Sequence, residues 1–533
     1  FISFSPSMHS FEITDSADDE RSQLNDTQRS WLLRPQPKKI KKYVDLGFIV
    51  CSYKALLWTI AAILFAFLLI ALPIILSKNL PNKKDHPLPP DDYSKALHTA
   101  LRFFNAQKSG RLPKDNNVSW RGDSGLRDGL VGGYYDAGDN SKLHFPLAFS
   151  MTMLSWSVIE YSTKYKAVGE YDHVKELIKW GTDYLLLTFN SSATTIDQIY
   201  SQYERQVQIS TQGPDLAGEM AAALAAASIV FRDDVKYSKK LLDGATALYK
   251  FADDPSKRLS YSRGNSNIAR YYNSTGYWDE IIWSAAWMFY ASELLLTRLR
   301  IFLGPGYPYE GLLRRYHNEA GSNVCSYLRQ FNVFNWTKGG LILLNHGRPL
   351  QYVANAAFLA SLFADYMNAT GVPGWYCGPN FISSDKLRFF ASSQVNYILG
   401  ANPMNMSYLV GYGDKFPKYV YHRGASIRRP SNNTKNEKVY TCHGGWAWFD
   451  SAKPNPNEIT GAMVGGPYKS DKFEDDRKDR SHTEPTLAGN AGLVAALVSL
   501  TTSGGMGIDR NTIFWNVSPF YPSSPPPPPP WQP

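Results

Sequence analysis

The sequence predicts an all-α protein carried behind one transmembrane helix. Three observations predict it. Segment after segment has apolar residues at helical spacing, strand-like alternation is scarce, and Ala55 to Ser77 holds no charged residue. At about 1.5 Å rise per residue, a run of that length crosses a bilayer core of roughly 30 Å. A buried soluble helix is the alternative reading, but such helices rarely run so far without a charge.

Composition narrows the function classes. The 533 residues carry 56 Lys plus Arg against 47 Asp plus Glu, a net charge of +9. The excess is mild and interleaved with acids, which gives no argument for nucleic acid. Aromatics make up 14%, a level that suits a carbohydrate-binding cleft and an ordinary core alike. The cysteines Cys51, Cys325, Cys377 and Cys442 show no CxxC spacing. Neither a metal cage nor a dense disulfide framework is indicated, and no cofactor is expected. Three cysteines follow the span, so at least one is unpaired within a monomer.

Residues 1–54 are polar and mixed in charge and read as a disordered cytosolic tail. Residues 55–77 form the span, 78–90 a linker with Pro87 to Pro90 as a stiff spacer, 91–515 the main domain and 516–533 a Pro-rich end. Arg34, Lys38, Lys39, Lys41, Lys42 and Lys54 precede the span, and Lys78, Lys83 and Lys84 follow it. That bias favours a cytosolic N-terminus and a luminal or extracellular domain, a single-pass type II arrangement. Sequons at Asn117, Asn190, Asn273, Asn335, Asn368, Asn405, Asn432 and Asn516 all lie on the far side. In the tail, Leu32-Leu33 and Tyr43-Val-Asp-Leu46 resemble sorting signals, and a chance match in a short tail explains them equally well.

The helical segments come in order. Asp92 to Ala106 places Ala96, Leu97, Ala100, Leu101 and Phe104 on one face. Phe145 to Tyr161 and Val174 to Leu187 are amphipathic. Met220 to Phe231 is Ala-rich, with small residues suited to close packing. Further helices are predicted over Ser238 to Phe251, Trp278 to Arg298, Tyr352 to Tyr366, Ser384 to Leu399 and Thr486 to Leu500. Long aromatic and Gly-rich loops join them, so a site would be built from loops.

Two acidic clusters carry candidate chemistry. Gly132-Gly-Tyr-Tyr-Asp-Ala-Gly-Asp-Asn140 sets Asp136 three residues before Asp139, with glycines that permit a tight loop. A bare pair of this kind also fits a solvated Asp-Gly turn. The second cluster, Asp475, Asp476, Asp479 and Glu484, runs into Pro485 and a helix start. A carboxyl lodged against a helix and aromatic walls can act as a general acid. A solvated charged loop is the bland alternative.

Together the clusters resemble glycoside hydrolase family 9. The pattern is Gly133-Tyr-Tyr-Asp-Ala-Gly-Asp-Asn140, then Phe473-x-Asp475, Glu484-x-Thr486 and Asn490-Ala491. Asn345-His-Gly-Arg-Pro349, Trp375 to Asn380, Tyr397 to Met404 and Lys453 to Asn457 fall between in the family's order. The anchor, the tail motif and the Arg423-Gly-Ala-Ser-Ile run make it similar to the family's membrane-anchored plant endoglucanases of the KORRIGAN type. The resemblance implies an (α/α)6 barrel and inverting hydrolysis of internal β-1,4-glucosidic bonds in cell-wall glucan synthesis or remodelling. It implies plasma membrane or Golgi/endosomal membranes, and a cellulose-synthesising complex as a partner. Inversion sets the two carboxyls roughly 6.5–9.5 Å apart, one protonating the leaving oxygen and one activating water.

Carried over residue by residue, Asp139 becomes the base, Asp136 its partner in holding water and Glu484 the general acid. Asp475 joins the catalytic set by orienting that loop with Arg477. Tyr134, Tyr135, Tyr421, His422, Arg423 and Arg477 are expected to contact sugar. Four departures stand out. Tyr421 occupies the family's His position in His-x-Arg, with His422 as a substitute if the loop shifts. Arg480 replaces an aromatic. After Gln202 the chain omits a Gly-rich loop with a sugar-stacking Trp. After Ala291 it omits a longer block of loop and helix. The resemblance therefore predicts a shallower cleft near Gln202, one incomplete hairpin after Ala291, and activity in doubt. The alternative is a catalytically impaired glucan-binding or complex-forming membrane protein.

Overall fold

The computed structural model describes residues 43–45, 50–52, 58, 65, 90–202, 208–263, 266–291, 310–369, 372–428 and 444–509. It divides into two units, Phe1–His86 and Pro87–Pro533. In the first, β1 (Tyr43–Asp45) pairs antiparallel with β2 (Val50–Ser52), Val44 opposite Cys51. The sequence reading had this stretch as unstructured tail, and it puts the tyrosine of the tail motif in a hairpin. The expected span lies outside the described residues except for Trp58 and Phe65, both exposed. Among the described residues no helix is long and apolar enough to cross a membrane.

The second unit is built from helices: α1 (Pro90–Gln107), α2 (His144–Ala167), α3 (Tyr171–Leu185), α4 (Pro214–Val230), α5 (Val235–Asp253), α6 (Trp278–Ala291), α7 (Glu310–Ser326), α8 (Pro349–Ala369), α9 (Ser384–Leu399) and α10 (Leu487–Leu500). Their starts follow capping chemistry. Pro214 opens α4, where a missing N–H costs nothing, and Asp234 accepts from Tyr237 N at 3.0 Å to cap α5. Thr486 caps α10 by accepting from Gly489 N at 3.1 Å. Strands are confined to two-stranded hairpins: β3 (Ile199–Gln202) with β4 (Gln208–Ser210), β5 (Asn335–Trp336) with β6 (Ile342–Leu343), and β7 (Gly374–Cys377) with β8 (Asn380–Ser383). The join at Gln202 is thus crossed by the β3–β4 hairpin, with 203–207 outside the described residues.

An inner row of helices packs in the order α6, α4, α2, α10, α8, and α5, α3, α1 and α9 lie against them. The inner helices are apolar on nearly every side. All of α10 but its last residue is buried, as is all of α4 but Ile229. The alanines of α4 allow that crowding. Trp156 of α2, partly buried, bridges neighbouring helices, meeting Trp283 and Trp287 of α6 at 5.6 and 5.7 Å and Phe358 of α8 at 5.5 Å. The helix α6 differs from its neighbours. Of its apolar sequence, Ile281, Ser284 and Trp287 are buried, while Trp278 and Ile282 are exposed. Its described residues run to Ala291, next to the position where the second missing block is expected, and the C-terminal part of the predicted 278–298 helix lies outside the described residues.

The chain forms one disulfide among its described residues, Cys325–Cys377, tying the end of α7 to β7 across a sequence separation of 52. Six sequon asparagines, Asn117, Asn190, Asn273, Asn335, Asn368 and Asn405, are exposed. Asn432 and Asn516 lie outside the described residues.

Candidate active site

The two acidic clusters meet. The loop carrying Asp136 and Asp139 leads into α2, and Glu484 sits two residues before the cap of α10. Backbone hydrogen bonds stitch them: Leu487 N donates to Asp136 O at 2.9 Å, and Arg423 N to Gly138 O at 2.7 Å. Tyr421 N donates to Thr483 O at 3.2 Å, and Gly138 N donates to Glu484 Oε1 at 3.2 Å. Three chain segments far apart in sequence therefore hold one another. The closeness depends on Gly138, because a Cβ there would lie 1.9 Å from Tyr421 O.

Each carboxylate has a distinct setting. Asp136 is buried and accepts from the Tyr272 hydroxyl at 2.9 Å through Oδ2, while Oδ1 has no protein partner. Burial pushes its pKa up to about 8, against the lowering pull of Tyr272 and Arg348. Asp139 is half-buried and lines a cavity of about 240 Å³ with Tyr421, Arg423, Trp446 and Phe449. It accepts from Ser141 N at 3.0 Å and from Ser141 Oγ at 3.1 Å, an Asx-type turn that fixes the carboxylate. Glu484 is 5% exposed and pairs through Oε2 with Arg348. Burial raises its pKa, Arg348 opposes that, and the charge of Asp139 adds to it. A buried carboxyl that gains a proton readily beside an acid open to the cavity is the division of labour that proton donation and water activation require.

Other expected site residues are supports. Asp475 accepts from Lys418 N at 2.6 Å and Tyr419 N at 3.0 Å, which fixes the chain entering Tyr421. Arg477 is buried and donates to Asn455 and to the carbonyls of Ser451 and Lys453. All its nitrogens are engaged with the 448–455 segment, so Arg477 clamps that wall of the cavity it lines. The sugar contact expected of Tyr134 is corrected. It is fully buried, donates to Leu177 O at 2.8 Å and packs on Phe104. Tyr135 is buried between Arg121 and Lys142.

His422 does not replace the missing imidazole. Its Nδ1 accepts from Ala425 N at 3.0 Å, capping the Arg423–Ser426 turn, so Nε2 donates to Gln107 Oε1 at 2.8 Å. Burial, with help from Arg121, lowers its pKa to about 3. Gln107 in turn donates to Tyr135 O and Ala137 O, so His422 braces the Asp loop from behind. Tyr421 and Arg423 line the cavity, and His422 and Arg477 also reach its wall.

Sequence reasoning missed Tyr272, Ser141 and Arg348. Arg348 stood inside the quoted Asn345–Pro349 motif without a role, and its φ of 51° just before Pro349 marks a held conformation at a functional position. Tyr272 carried no signal, because nothing in its own segment points to an acid 136 residues away.

A helical barrel whose loops bring an open carboxylate and a buried one together over an aromatic cavity is the architecture of a carbohydrate-cleaving acid–base site. The sequence model of Glycosyl hydrolase family 9 matches residues 93–300 and 292–497, and the chain belongs to that family. The match comes in two parts that overlap over residues 292–300. Endoglucanase 12 of Oryza sativa subsp. japonica is 56% identical over 590 positions, covering 96% of this chain and 94% of that protein. Endoglucanase 7 of Arabidopsis thaliana is 52% identical over 589 positions, covering 96% and 94%. These alignments run longer than the 533-residue chain, so the relatives carry segments it lacks. Among solved structures, the endoglucanase of the termite Nasutitermes takasagoensis matches with a TM-score of 0.63 at 32% identity, covering 77% of this chain and 98% of that one. The endoglucanase CelQ of Clostridium thermocellum, complexed with cellobiose and cellotriose, matches with a TM-score of 0.61 at 27% identity, covering 79% and 72%.

Proposed function

We propose that this chain hydrolyses internal β-1,4-glucosidic bonds of a cellulose-like glucan with inversion at the anomeric carbon. The observation that carries it is the convergence of Asp136, Asp139 and Glu484 on one backbone-stitched frame. Asp139, open to the cavity, takes a proton from a water that attacks the anomeric carbon. Asp136 holds that water through Oδ1, its unpaired oxygen. Glu484 gives its proton to the leaving glycosidic oxygen as that bond breaks, and Arg348 keeps it aimed. The test is an assay on a soluble cellulose derivative beside Asp139→Asn. The variant should lose about 10²–10⁴-fold, the usual worth of a general base, and equal rates for the two proteins would sink the assignment.

The domain is carried behind a single-pass anchor at 55–77 and works in the lumen or outside the cell, at the plasma membrane or in Golgi/endosomal membranes. The uncharged run, its basic N-terminal flank, exposed sequons and the Cys325–Cys377 disulfide support this, since disulfides persist in oxidising compartments. There it trims glucan during cell-wall synthesis or remodelling, beside a cellulose-synthesising complex. A second reading, an impaired enzyme kept for binding glucan or partners, draws on the exposed Trp278 and Ile282 of α6 and on the segments that the relatives carry and this chain lacks. Turnover in the same assay decides between them.

A further inference from the structure

Two cavity residues depart from the family pattern, and they touch each other. The Arg480 guanidinium lies 4.9 Å over the ring of Tyr421 and 6.0 Å from that of Phe449. The two rings stand at 89° to one another, 6.0 Å apart, and make a corner in which the cation sits. Both positions are tied to the general-acid loop, since Tyr421 N donates to Thr483 O and Glu484 N donates to Arg480 O. Arg480 is exposed and forms no ion pair among the described residues. A guanidinium with an aromatic seat and no carboxylate keeps most of its five donors for another molecule.

The family resemblance implies an imidazole at position 421 and an aromatic ring at position 480. This chain has a ring on the 421 wall and a cation on the 480 wall. The pair of chemistries is kept and the sides are exchanged. A lone His→Tyr change keeps a donor but removes the group that can carry charge, and a lone aromatic→Arg change would have put a cation over an imidazole. Together they give a seated cation.

We propose that Arg480 is a substrate-contacting, specificity-determining residue that supplies, from the 480 wall, the cationic donor to glucan hydroxyls that position 421 lacks, with Tyr421 as its seat. The proposal rests on the glucan reading above. Its planar fork suits adjacent hydroxyls on one sugar ring.

The test is a double-substitution cycle read by calorimetric binding of cellotetraose to the domain in an Asp139→Asn background. Turnover, which tests the hydrolase reading, is not needed. Arg480→Tyr and Tyr421→His should each weaken binding about fivefold or more, and the double substitution, which restores the family pattern, should return within about twofold of the parent. Arg480→Lys should recover part of the loss, because charge remains without the fork. The proposal is overturned if the two losses simply multiply in the double variant, if Arg480→Tyr binds as tightly as the parent, or if all variants bind equally.

Discussion

Replacing Arg348 by Met probes how the acid is poised. The substitution keeps the aliphatic stem and removes the one cation paired with Glu484 Oε2. Glu484 is 6% exposed at its side chain and Arg348 31%, so the pair is mostly shielded from solvent. Burial already raises the Glu484 pKa, and Arg348 is the largest influence holding it down. Withdrawing an opposite charge at this range raises a carboxyl pKa by about 1–3 units, or roughly 1.4–4 kcal/mol of proton affinity. The part of Arg348 that meets solvent favours the lower end of that range. A general acid works protonated, so the alkaline limb of kcat/KM should move to higher pH, because that limb reports the acid in the free enzyme. The maximal rate should fall about tenfold or more, since Glu484 loses its aim. A pH–rate series on a soluble cellulose derivative measures both. An alkaline limb that stays put or moves down would refute the role given to Arg348, and with it the assignment of Glu484 as the acid.

Three further outcomes follow from the same geometry. The folded state raises Asp136 from 3.8 to about 8, so it keeps a proton that the unfolded chain releases, and stability is lost as pH rises across that window. Asp136→Asn should therefore raise the thermal midpoint near pH 8 while leaving it nearly unchanged near pH 4, and it should cut turnover; equal midpoint shifts at both pH values would contradict the burial argument. Gly138→Ala puts a Cβ at 1.9 Å from Tyr421 O, so the stitched loops must part. Turnover should drop about 10²-fold with a lower thermal midpoint, and wild-type behaviour would show that the stitching does not matter. Cys325→Ser opens the link spanning 52 residues and should cost roughly 4 kcal/mol. Calorimetry should show a lower midpoint that added reductant does not lower further.

The helices were legible where burial imposes a period. Ser384 to Leu399 appears with the predicted bounds, and the predicted 145–161 and 220–231 segments extend to His144–Ala167 and Pro214–Val230. The extensions are physical. Pro214 starts its helix earlier than the Ala-rich run implied, and packing carries α2 past a non-helical kink at Tyr161. The helix Glu310–Ser326 was not foreseen, because its polar, charged sequence has no sustained apolar face. Asp136, Asp139 and Glu484 were legible as motifs. Tyr134 and Tyr135 were misread because closeness to an acid in sequence says nothing of side-chain direction, and both rings turn into the interior. His422 looked like a spare imidazole, yet the turn beginning at Arg423 needed a cap and took it. Tyr272 reaches Asp136 only through the fold, and although Arg348 stood in a quoted motif, its pairing with Glu484 136 residues away is also made only by the fold.

The central claim is that Asp139 delivers water from one face while Glu484 protonates the leaving oxygen from the other. The direct test is proton NMR of a cello-oligosaccharide digest in its first minutes, before the anomers of the new reducing ends equilibrate. The account predicts that the α-anomer appears first from the β-linked substrate and that Asp139→Asn produces almost none. A β-anomer appearing first would mean a covalent, retaining route and would contradict it.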